Sequence, residues 1–549
     1  MVESDNRNRN MSNAHFSILI DKENKNWNDD FVQMICYCGC VLKKPFSGYT
    51  NMIYHIKHSH TLTMDETLSQ YMANIDKSGK TQTSILDFGI ATEKAKKIFG
   101  YLEWTVEDNL PFAFVSKANT RKYCTLGNIC VNTLMKYLEL VALLVEEKIK
   151  TYLKDYAIGL MLDGWTESGT HYCVLFACLN KDNPSEKKRI MLSFAPLLDE
   201  TSQSADSHVE WIQSVLTLYD YDMSNLLFFC SDNTNTMPSV ANKLYVPFIG
   251  CSSHKLALYV KAYLGLDTDD EDALNPQNVI YKIKRLMTKM RSANKRGVLR
   301  QAECNLVPEI SNLTRWSSSY NMMVKYMRMK PFIDHSDRDL RNLTLSHDEN
   351  DEVEAILPHL KDLNDVTVAL QGEDITLCEA RLLLDAVIEL NLIPDQTLAN
   401  RWLSKGATIT THPSFESGLR KISDGKEATL NFSEKHAVQK FLKNTGENNV
   451  ETNNGNSGLE EEVIEEKLAS KVFNKDKMQK TAVNPYMSCD FVPATSCLAE
   501  RAFSISGFIL SNYRKSMTPF HLECLVFLKF NRDMWDVNTV QQAINKHNI

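Results

Sequence analysis

The sequence predicts an α/β fold in which a partly parallel sheet is interrupted by a large helical region. Apolar strand-like runs alternate with helix-like segments between residues 156 and 268. From about residue 270 to 440, Leu, Met, Lys and Glu recur at helical spacing with few strand signals. At 549 residues, the chain is long enough for several domains.

The order of these patterns predicts seven regions along the chain. The expected boundaries are a disordered tail at 1–27, a compact Cys/His-rich unit at 28–62, a linker at 63–92, a helical region at 93–155, the first part of the α/β core at 156–268, a helical insertion at 269–484 with a flexible polar loop near 444–458, and the last part of the core at 485–549.

Within the core, the apolar runs place the individual elements. Strands are expected at 156–163, 171–180, 189–197, 225–232 and 246–250, and helices at 206–219 and 253–266. The preceding region carries apolar residues at helical spacing from Leu134 to Ile149.

Composition limits the class of protein. Hydrophobic residues make up 43% and charged residues 24%, as in ordinary globular proteins. We find no long uncharged apolar run, so we expect no membrane partner. The 14 cysteines are scattered along the chain without a secretory signal, which favours reduced thiols. A net charge of −8 counts mildly against a nucleic-acid binder, although such binders need only a basic face.

Two of the apolar runs end in an aspartate, Asp163 and Asp232. The carboxyl ends of strands in an α/β sheet are where catalytic side chains meet. Two carboxylates brought together repel each other unless a cation lies between them, and Mg²⁺ and Mn²⁺ prefer such oxygen ligands. The alternative is that each aspartate only begins a turn or caps a helix.

Six segments resemble the hAT superfamily of DNA transposases, in the order that the family has them. LMLDGWTESGTHYCVLFA resembles its first acidic strand, FFCSDNTNTMPSVANKL its second, and GCSSHKLALYV its Cys-x-x-His segment. The remaining segments resemble its Arg-Trp segment, its C-terminal region and the helices before the first strand; they span 313–323, 493–531 and 104–123.

The resemblance implies an RNase H-like core that cuts DNA with Mg²⁺ or Mn²⁺ as cofactor. Asp163, Asp232 and Glu500 would be the catalytic, metal-binding triad. The large helical insertion before Glu500 fits the family, and the helical spacing found there predicts it independently. Without the resemblance, Glu500 would be taken as a solvated residue of a helix.

The Cys/His-rich unit resembles a BED-type zinc finger through the segment NMIYHIKHSH. Zinc requires four ligands, and so small a unit would not fold without it. The cysteine spacing is unusual, because Ile35 stands where such a finger has its first cysteine. The candidate Zn²⁺ ligands are Cys36, Cys38, Cys40, His55 and His60, with Cys40 and His60 the best matched.

The candidate DNA contacts in these segments are His254, Arg315 and Trp316. Cys251 and His254 cannot close a zinc site by themselves, and the resemblance implies that His254 lies near the active site, where it would contact a phosphate. The alternative is local packing. Arg315 and Trp316 fit DNA distortion, in which Trp316 would stack on an extruded base. The alternative for Trp316 is a core tryptophan.

The stretch from 282 to 300 carries eight basic residues and no acid, which predicts a phosphate-binding surface. The alternative is a solvated helix face. The candidate DNA-binding side chains in this stretch are Lys284, Arg285, Lys289, Arg291, Lys295 and Arg296.

Taken together, the sequence predicts a nuclear, homodimeric cut-and-paste transposase. It would bind the terminal repeats of its element, cleave them through a hairpin on flanking DNA and join the ends to target DNA. The apolar C-terminal residues 520–535 would contribute to dimerisation or to ordinary core. The alternative is a domesticated, catalytically inactive DNA-binding or regulatory protein, which the imperfect finger favours. A simple nuclease would leave the finger and the insertion unexplained.

Overall fold

A computed structural model describes residues 16–18, 31–36, 41–45, 91–180, 189–265, 279–312, 316–392, 395–443, 484–510 and 517–547. The chain forms two compact units. One comprises residues 1–101, 125–127 and 536–549, and the other comprises residues 102–124 and 128–535. None of the described helices has the length and apolarity that spanning a membrane requires.

The first unit contains a three-stranded antiparallel sheet of β1 (Phe16–Ile18), β2 (Phe31–Cys36) and β3 (Val41–Pro45). It also contains the start of α1 (Glu93–Glu107) and the last helix, α18 (Val537–His547). Strand β1 lies within the tail at 1–27 that the sequence predicts to be disordered. In this sheet Phe16 of β1 lies opposite Cys36 of β2.

The second unit is built on a mixed five-stranded sheet in the order β6–β5–β4–β7–β8. The first three strands pair antiparallel, whereas β4, β7 and β8 run parallel. All five lie within two residues of their predicted starts. The strands are β4 (Ile158–Glu167), β5 (Thr170–Leu179), β6 (Arg189–Pro196), β7 (Leu226–Ser231) and β8 (Phe248–Gly250).

Helices of the core precede, connect and follow these strands. Before the sheet come α2 (Ala118–Tyr123) and α3 (Val131–Leu153); between its strands lie α4 (Ala205–Leu218) and α5 (Thr236–Lys243); after β8 comes α6 (Ser252–Tyr263). Two C-terminal helices, α16 (Cys497–Ile509) and α17 (Pro519–Phe530), return to the sheet, where α16 packs on β4 and α17 on β6. The predicted helices at 206–219 and 253–266 are confirmed.

A large helical region separates α6 from α16, as the sequence predicts. It consists of α7 (Val279–Met290), α8 (Ala293–Gln301), α9 (Trp316–Met329), α10 (Arg338–Arg341), α11 (His347–Leu370), α12 (Leu377–Glu389), α13 (Gln396–Trp402), α14 (Pro413–Ser423) and α15 (Phe432–Ala437). Residues of α6 and of most of these helices share one hydrophobic core, which extends from Leu256 to Leu403 and includes Ala494. Helix α6, which follows β8, therefore packs into the core of the insertion.

Candidate functional site

The parallel pairing of β4 and β7 brings Asp163 and Asp232 side by side. Met161 lies opposite Cys230. Asp163 comes two residues after Met161 on β4, and Asp232 comes two residues after Cys230, just beyond the end of β7. Neighbouring strands lie about 4.8 Å apart, so the two carboxylates project from adjacent positions. One detail of the prediction is wrong. Asp232 follows the end of β7, but β4 continues past Asp163 to Glu167 because that segment pairs with β5.

Glu500 reaches the same edge of the sheet from α16. It lies in the first turn of this helix, which packs against β4. Trp165, two residues after Asp163, stacks on Phe503 with ring centroids 5.8 Å apart and planes 24° apart. Because Phe503 follows Glu500 by one helical turn, this stack fixes the end of α16 that carries the third acid.

The electrostatics of Asp163 show that the three acids share one neighbourhood. Burial, together with the charges of Asp232 and Glu500, raises the pKa of Asp163 well above its usual value. The backbone N–H of Gly164, 2.8 Å from Asp163 Oδ1, acts in the opposite direction. A buried carboxyl among other carboxyls is stabilised in its charged form by a cation, so the donor set fits a hard divalent metal.

The three acids are neighbours rather than a closed ligand cluster. Among the described residues, only two groups of three ligand atoms lie within 4.8 Å of one another, and the acids are in neither. Asp232 also begins a turn, since its Oδ1 accepts from the Thr234 hydroxyl at 2.9 Å. The turn role and the metal role are therefore both open to Asp232.

The Cys-x-x-His segment packs directly against this edge. His254 Nδ1 accepts the backbone N–H of Asn233 at 3.2 Å, and the Asn233 side-chain amide donates to the carbonyl oxygen of Cys251 at 2.8 Å. Burial lowers the pKa of His254, while Asp232 and Glu500 act to raise it. A neutral His254 whose Nδ1 accepts a hydrogen bond carries its proton on Nε2. His254 thus lies in the neighbourhood of the acids, as predicted.

Two residues that join the parts of this site were not identified from the sequence. Asn233 bridges β7 to the start of α6, and a Cβ at Gly250 would meet Asn233 Oδ1 at 1.9 Å. Cys497, at the start of α16, is hydrogen-bonded to the Cys251 thiol and with burial raises the pKa of Cys251 well above its usual value. Both residues contact partners that are distant in sequence. The Asp-Asn pair after β7 was the only feature of the sequence that indicated either of them.

The expected stacking role of Trp316 is not supported. Only 2% of Trp316 is exposed, and the ring packs in the core of the helical insertion. No ring face is open to a DNA base, so the burial favours the alternative, a core tryptophan. Its neighbour Arg315 lies outside the described residues.

The basic stretch from 282 to 300 is partly neutralised, contrary to the premise of the prediction. Acids from distant parts of the helical insertion pair with it: Lys282 with Glu349 at 2.7 Å, Lys289 with Asp339 at 3.2 Å, and Lys295 with Asp337. Lys284 lies 5.8 Å from the centre of the Tyr281 ring, and Arg296 is half-buried. The exposed arginines of the stretch are Arg285, Arg291 and Arg300.

The remaining predicted residues fall into two groups. Cys38, Cys40, His55 and His60 lie outside the described residues, and of Cys36 only the backbone, in β2, is described. The apolar C-terminal face is mostly ordinary core: Leu522, Leu525 and Trp535 are at most 2% exposed, whereas Phe520 is 53% exposed. The loop predicted at 444–458 also lies outside the described residues.

The fold and the site define an α/β protein with three acids at one edge of a mixed sheet. Comparison with known proteins adds no family to this description. No protein-family model matches the chain, and no curated protein is significantly similar to it in sequence.

Proposed function

We propose that the chain is a metal-dependent DNA-cleaving enzyme, a cut-and-paste transposase of the hAT type. The observation that carries the proposal is the convergence of Asp163, Asp232 and Glu500, which lie far apart in sequence. The pairing of β4 with β7 aligns the two aspartates, and the charge of Glu500 acts on Asp163. Acids in this arrangement are what phosphodiester cleavage with divalent metal requires.

The architecture supports the same proposal. Three antiparallel strands, two parallel strands beside the first of them, and a returning helix with the last acid resemble the RNase H-like fold that the sequence segments imply. The large helical region lies between the second and third acids, where the hAT resemblance places an insertion. Neither feature by itself identifies the DNA substrate, which rests on the resemblance.

Each side chain of the site would have a distinct role in this reaction. The three carboxylates would hold Mg²⁺ or Mn²⁺, which supplies Lewis-acid stabilisation and activation of the attacking oxygen when bound. His254, with its proton on Nε2, would donate a hydrogen bond to a phosphate oxygen. Water attacks one phosphodiester and releases a 3′-hydroxyl. That hydroxyl then attacks the opposite strand, which leaves a hairpin on the flanking DNA, and the freed ends join target DNA.

An excision assay tests this proposal. The protein acts on a reporter bracketed by the gene's own genomic flanks, with Mg²⁺ or Mn²⁺ supplied. We expect excision by the wild type and a loss of at least about a hundredfold in Asp232→Asn. The matched control is Asp222→Asn, since Asp222 begins a similar turn before β7 but is exposed to solvent. Equal excision by both variants would overturn the assignment.

The second candidate is a DNA-binding protein without catalysis, which the unusual cysteine spacing of the predicted Zn²⁺ finger favours. It predicts specific binding to the flanks and no excision by the wild type. The transposase proposal further includes a nuclear location and a homodimer. Fluorescence microscopy of the tagged chain and light scattering of the purified protein test these two points directly.

A further inference from the structure

A second group of metal-ligating side chains lies away from the three acids. It consists of His171 and Cys173 on β5 and His208 on α4. One ligand atom from each, an imidazole nitrogen or the thiol sulfur, lies within 4.8 Å of the other two. Cys173 is fully buried, His208 is 3% exposed, and His171 is half-buried. The cluster therefore has a closed interior and one side that faces solvent.

The backbone gathers these residues for simple reasons. His171 and Cys173 are two apart on a strand and so share one face of the sheet. Cys173 lies opposite Gly164 of β4, and a Cβ at Gly164 would meet the His171 ring at 2.9 Å. Glycine at this position leaves room for the imidazole. His208 comes from the first turn of α4, just after its N-cap Ser204.

This face is the opposite one from the acids. Residues directly across an antiparallel pair share a face, and Asp163 lies across from Val174, the neighbour of Cys173. Cys173 and Val174 point to opposite sides, so Asp163 and Cys173 do as well. The cluster thus lies behind the strand that carries Asp163 and is separate from the acidic site.

Each histidine makes a hydrogen bond through Nδ1, so Nε2 would be the nitrogen offered to a metal. His208 Nδ1 lies 2.8 Å from the carbonyl oxygen of Ser204, which can only accept, so Nδ1 carries the proton and Nε2 keeps its lone pair. His171 Nδ1 is hydrogen-bonded to the Thr166 hydroxyl at 2.9 Å. Burial, followed by the nearby His208, lowers the pKa of His171. Metal-binding histidines commonly use their second nitrogen in this way.

We propose that His171, Cys173 and His208 form a binding site for Zn²⁺ or a chemically similar transition-metal ion. Two imidazoles and one thiolate suit zinc and not the hard cations that carboxylates prefer. Binding releases the thiol proton of Cys173 to solvent and forms the metal–sulfur bond. Because His171 is half-buried, solvent would supply the fourth ligand. The ion ties α4 to β5 directly behind Asp163.

Cobalt(II) reports on this site, because a thiolate ligand gives it an intense charge-transfer absorption. The predicted finger also has cysteines, so the full chain is used with Cys36, Cys38 and Cys40 all changed to Ser. We expect one equivalent of Co²⁺ with the thiolate band, displaced by Zn²⁺. Cys173→Ser should abolish the band, and His208→Ala should weaken binding by more than about 100-fold.

Two further variants separate metal binding from folding. Cys178→Ser removes a buried thiol on the opposite face of the same strand and should keep the band. His171→Gln changes the most exposed ligand and should weaken binding while the circular dichroism spectrum stays native. The proposal is overturned if the finger-deficient chain develops no thiolate band with Co²⁺, or if the band persists in Cys173→Ser.

Discussion

At the scale of single residues, two half-buried acids make stability depend on pH. Burial, followed by the charge of Glu146, raises the pKa of Glu523 on α17 to about 7. Burial also raises the pKa of Glu146 on α3. Because the ordinary value for Glu523 is 4.5, the folded protein binds its proton more tightly than the unfolded chain does. This contribution to stability is present below about pH 4.5 and is lost as pH rises through about 7.

Replacement of Glu523 by Gln should remove this dependence. Between pH 5 and pH 8, the wild type should lose on the order of 2 kcal/mol of unfolding free energy that Glu523→Gln retains. Urea unfolding at the two pH values measures the difference. Glu210→Gln, at an exposed position of α4, is the control and should follow the wild type. Parallel profiles for wild type and Glu523→Gln would contradict the burial argument.

Trp165 should act as a positioning residue for Glu500 through its stack on Phe503. We expect Trp165→Ala to cost about 3 kcal/mol of unfolding free energy. It should also raise the divalent metal concentration needed for half-maximal cleavage by about 10-fold to 100-fold. Trp165→Phe keeps an aromatic ring and should recover most of both losses.

A matched control separates this positioning role from a loss of stability. Trp104→Ala removes another tryptophan that packs edge-to-face on Phe114, with ring centroids 5.0 Å apart. It should lower stability but leave the metal requirement unchanged. An equal shift in the metal requirement for both alanine variants would mean that Trp165 has no specific role in placing Glu500.

The positions of the candidate site residues were predictable only where the sequence signal is local. Asp163 and Asp232 stand out because each follows an apolar run, and strand pairing then aligns them. Trp316 looked like a DNA contact, but a tryptophan in a helix gives no sign of which side it faces, and it is buried. Asn233 was missed because its partners, His254 and Cys251, come from a different element.

At the scale of elements, a buried ion pair joins the helical insertion to the core. Lys255 on α6 lies 3.2 Å from Glu416 on α14, and their side chains are 5% and 14% exposed. Lys255 also lies within 3.4 Å of the Thr410 hydroxyl. Charges buried this deeply need each other, because either one alone pays the full cost of leaving water.

Removing one charge of this pair should therefore lower the unfolding free energy, and removing the other charge as well should recover part of the loss. We expect Glu416→Leu and Lys255→Met each to lower the unfolding free energy by about 3 kcal/mol. The double variant Lys255→Met with Glu416→Leu should lose clearly less than the two single losses combined. Chemical denaturation of the four proteins gives this coupling energy. Additive losses would show that the pair does not couple α6 to α14.

Element boundaries were predictable where sequence and pairing agree, and β4 shows where they do not. Its apolar run ends near Asp163, yet the strand extends to Glu167. The extension forms because Ser168 and Gly169, both with positive φ, make a two-residue hairpin turn to β5. The Ser-Gly pair indicates such a turn in the sequence, but the polar side chains around it are typical of a loop.

At the scale of the whole molecule, contacts between residues far apart in sequence determine which acids meet at the site and which basic residues are paired. Glu500 could be connected with the two aspartates only through the family resemblance, since no local pattern spans the helical insertion. The same holds for the basic stretch, where acids from α10 and its neighbours cancel part of the charge. What remains of the predicted DNA surface is carried by exposed arginines on α7 and near it.

If this surface binds DNA, its exposed arginines should set the salt dependence. Replacing Arg285, Arg291 and Arg300 by Ala should weaken binding to any duplex sequence and lower the slope of log affinity against log salt by about 3. Fluorescence anisotropy across a range of salt concentrations measures the slope. The control replaces Lys405, Lys435 and Lys443, three exposed lysines elsewhere in the insertion, with the same change in net charge.

The comparison of the two triple variants isolates local contacts from overall charge. The chain already carries a net charge of −8, so removing three cations raises its general repulsion from DNA in both variants alike. Only direct phosphate contacts release counterions and change the slope. Equal slopes would assign the basic stretch to the solvated helix face that was its alternative interpretation. A lower slope for the arginine variant alone would place DNA against α7 and α8.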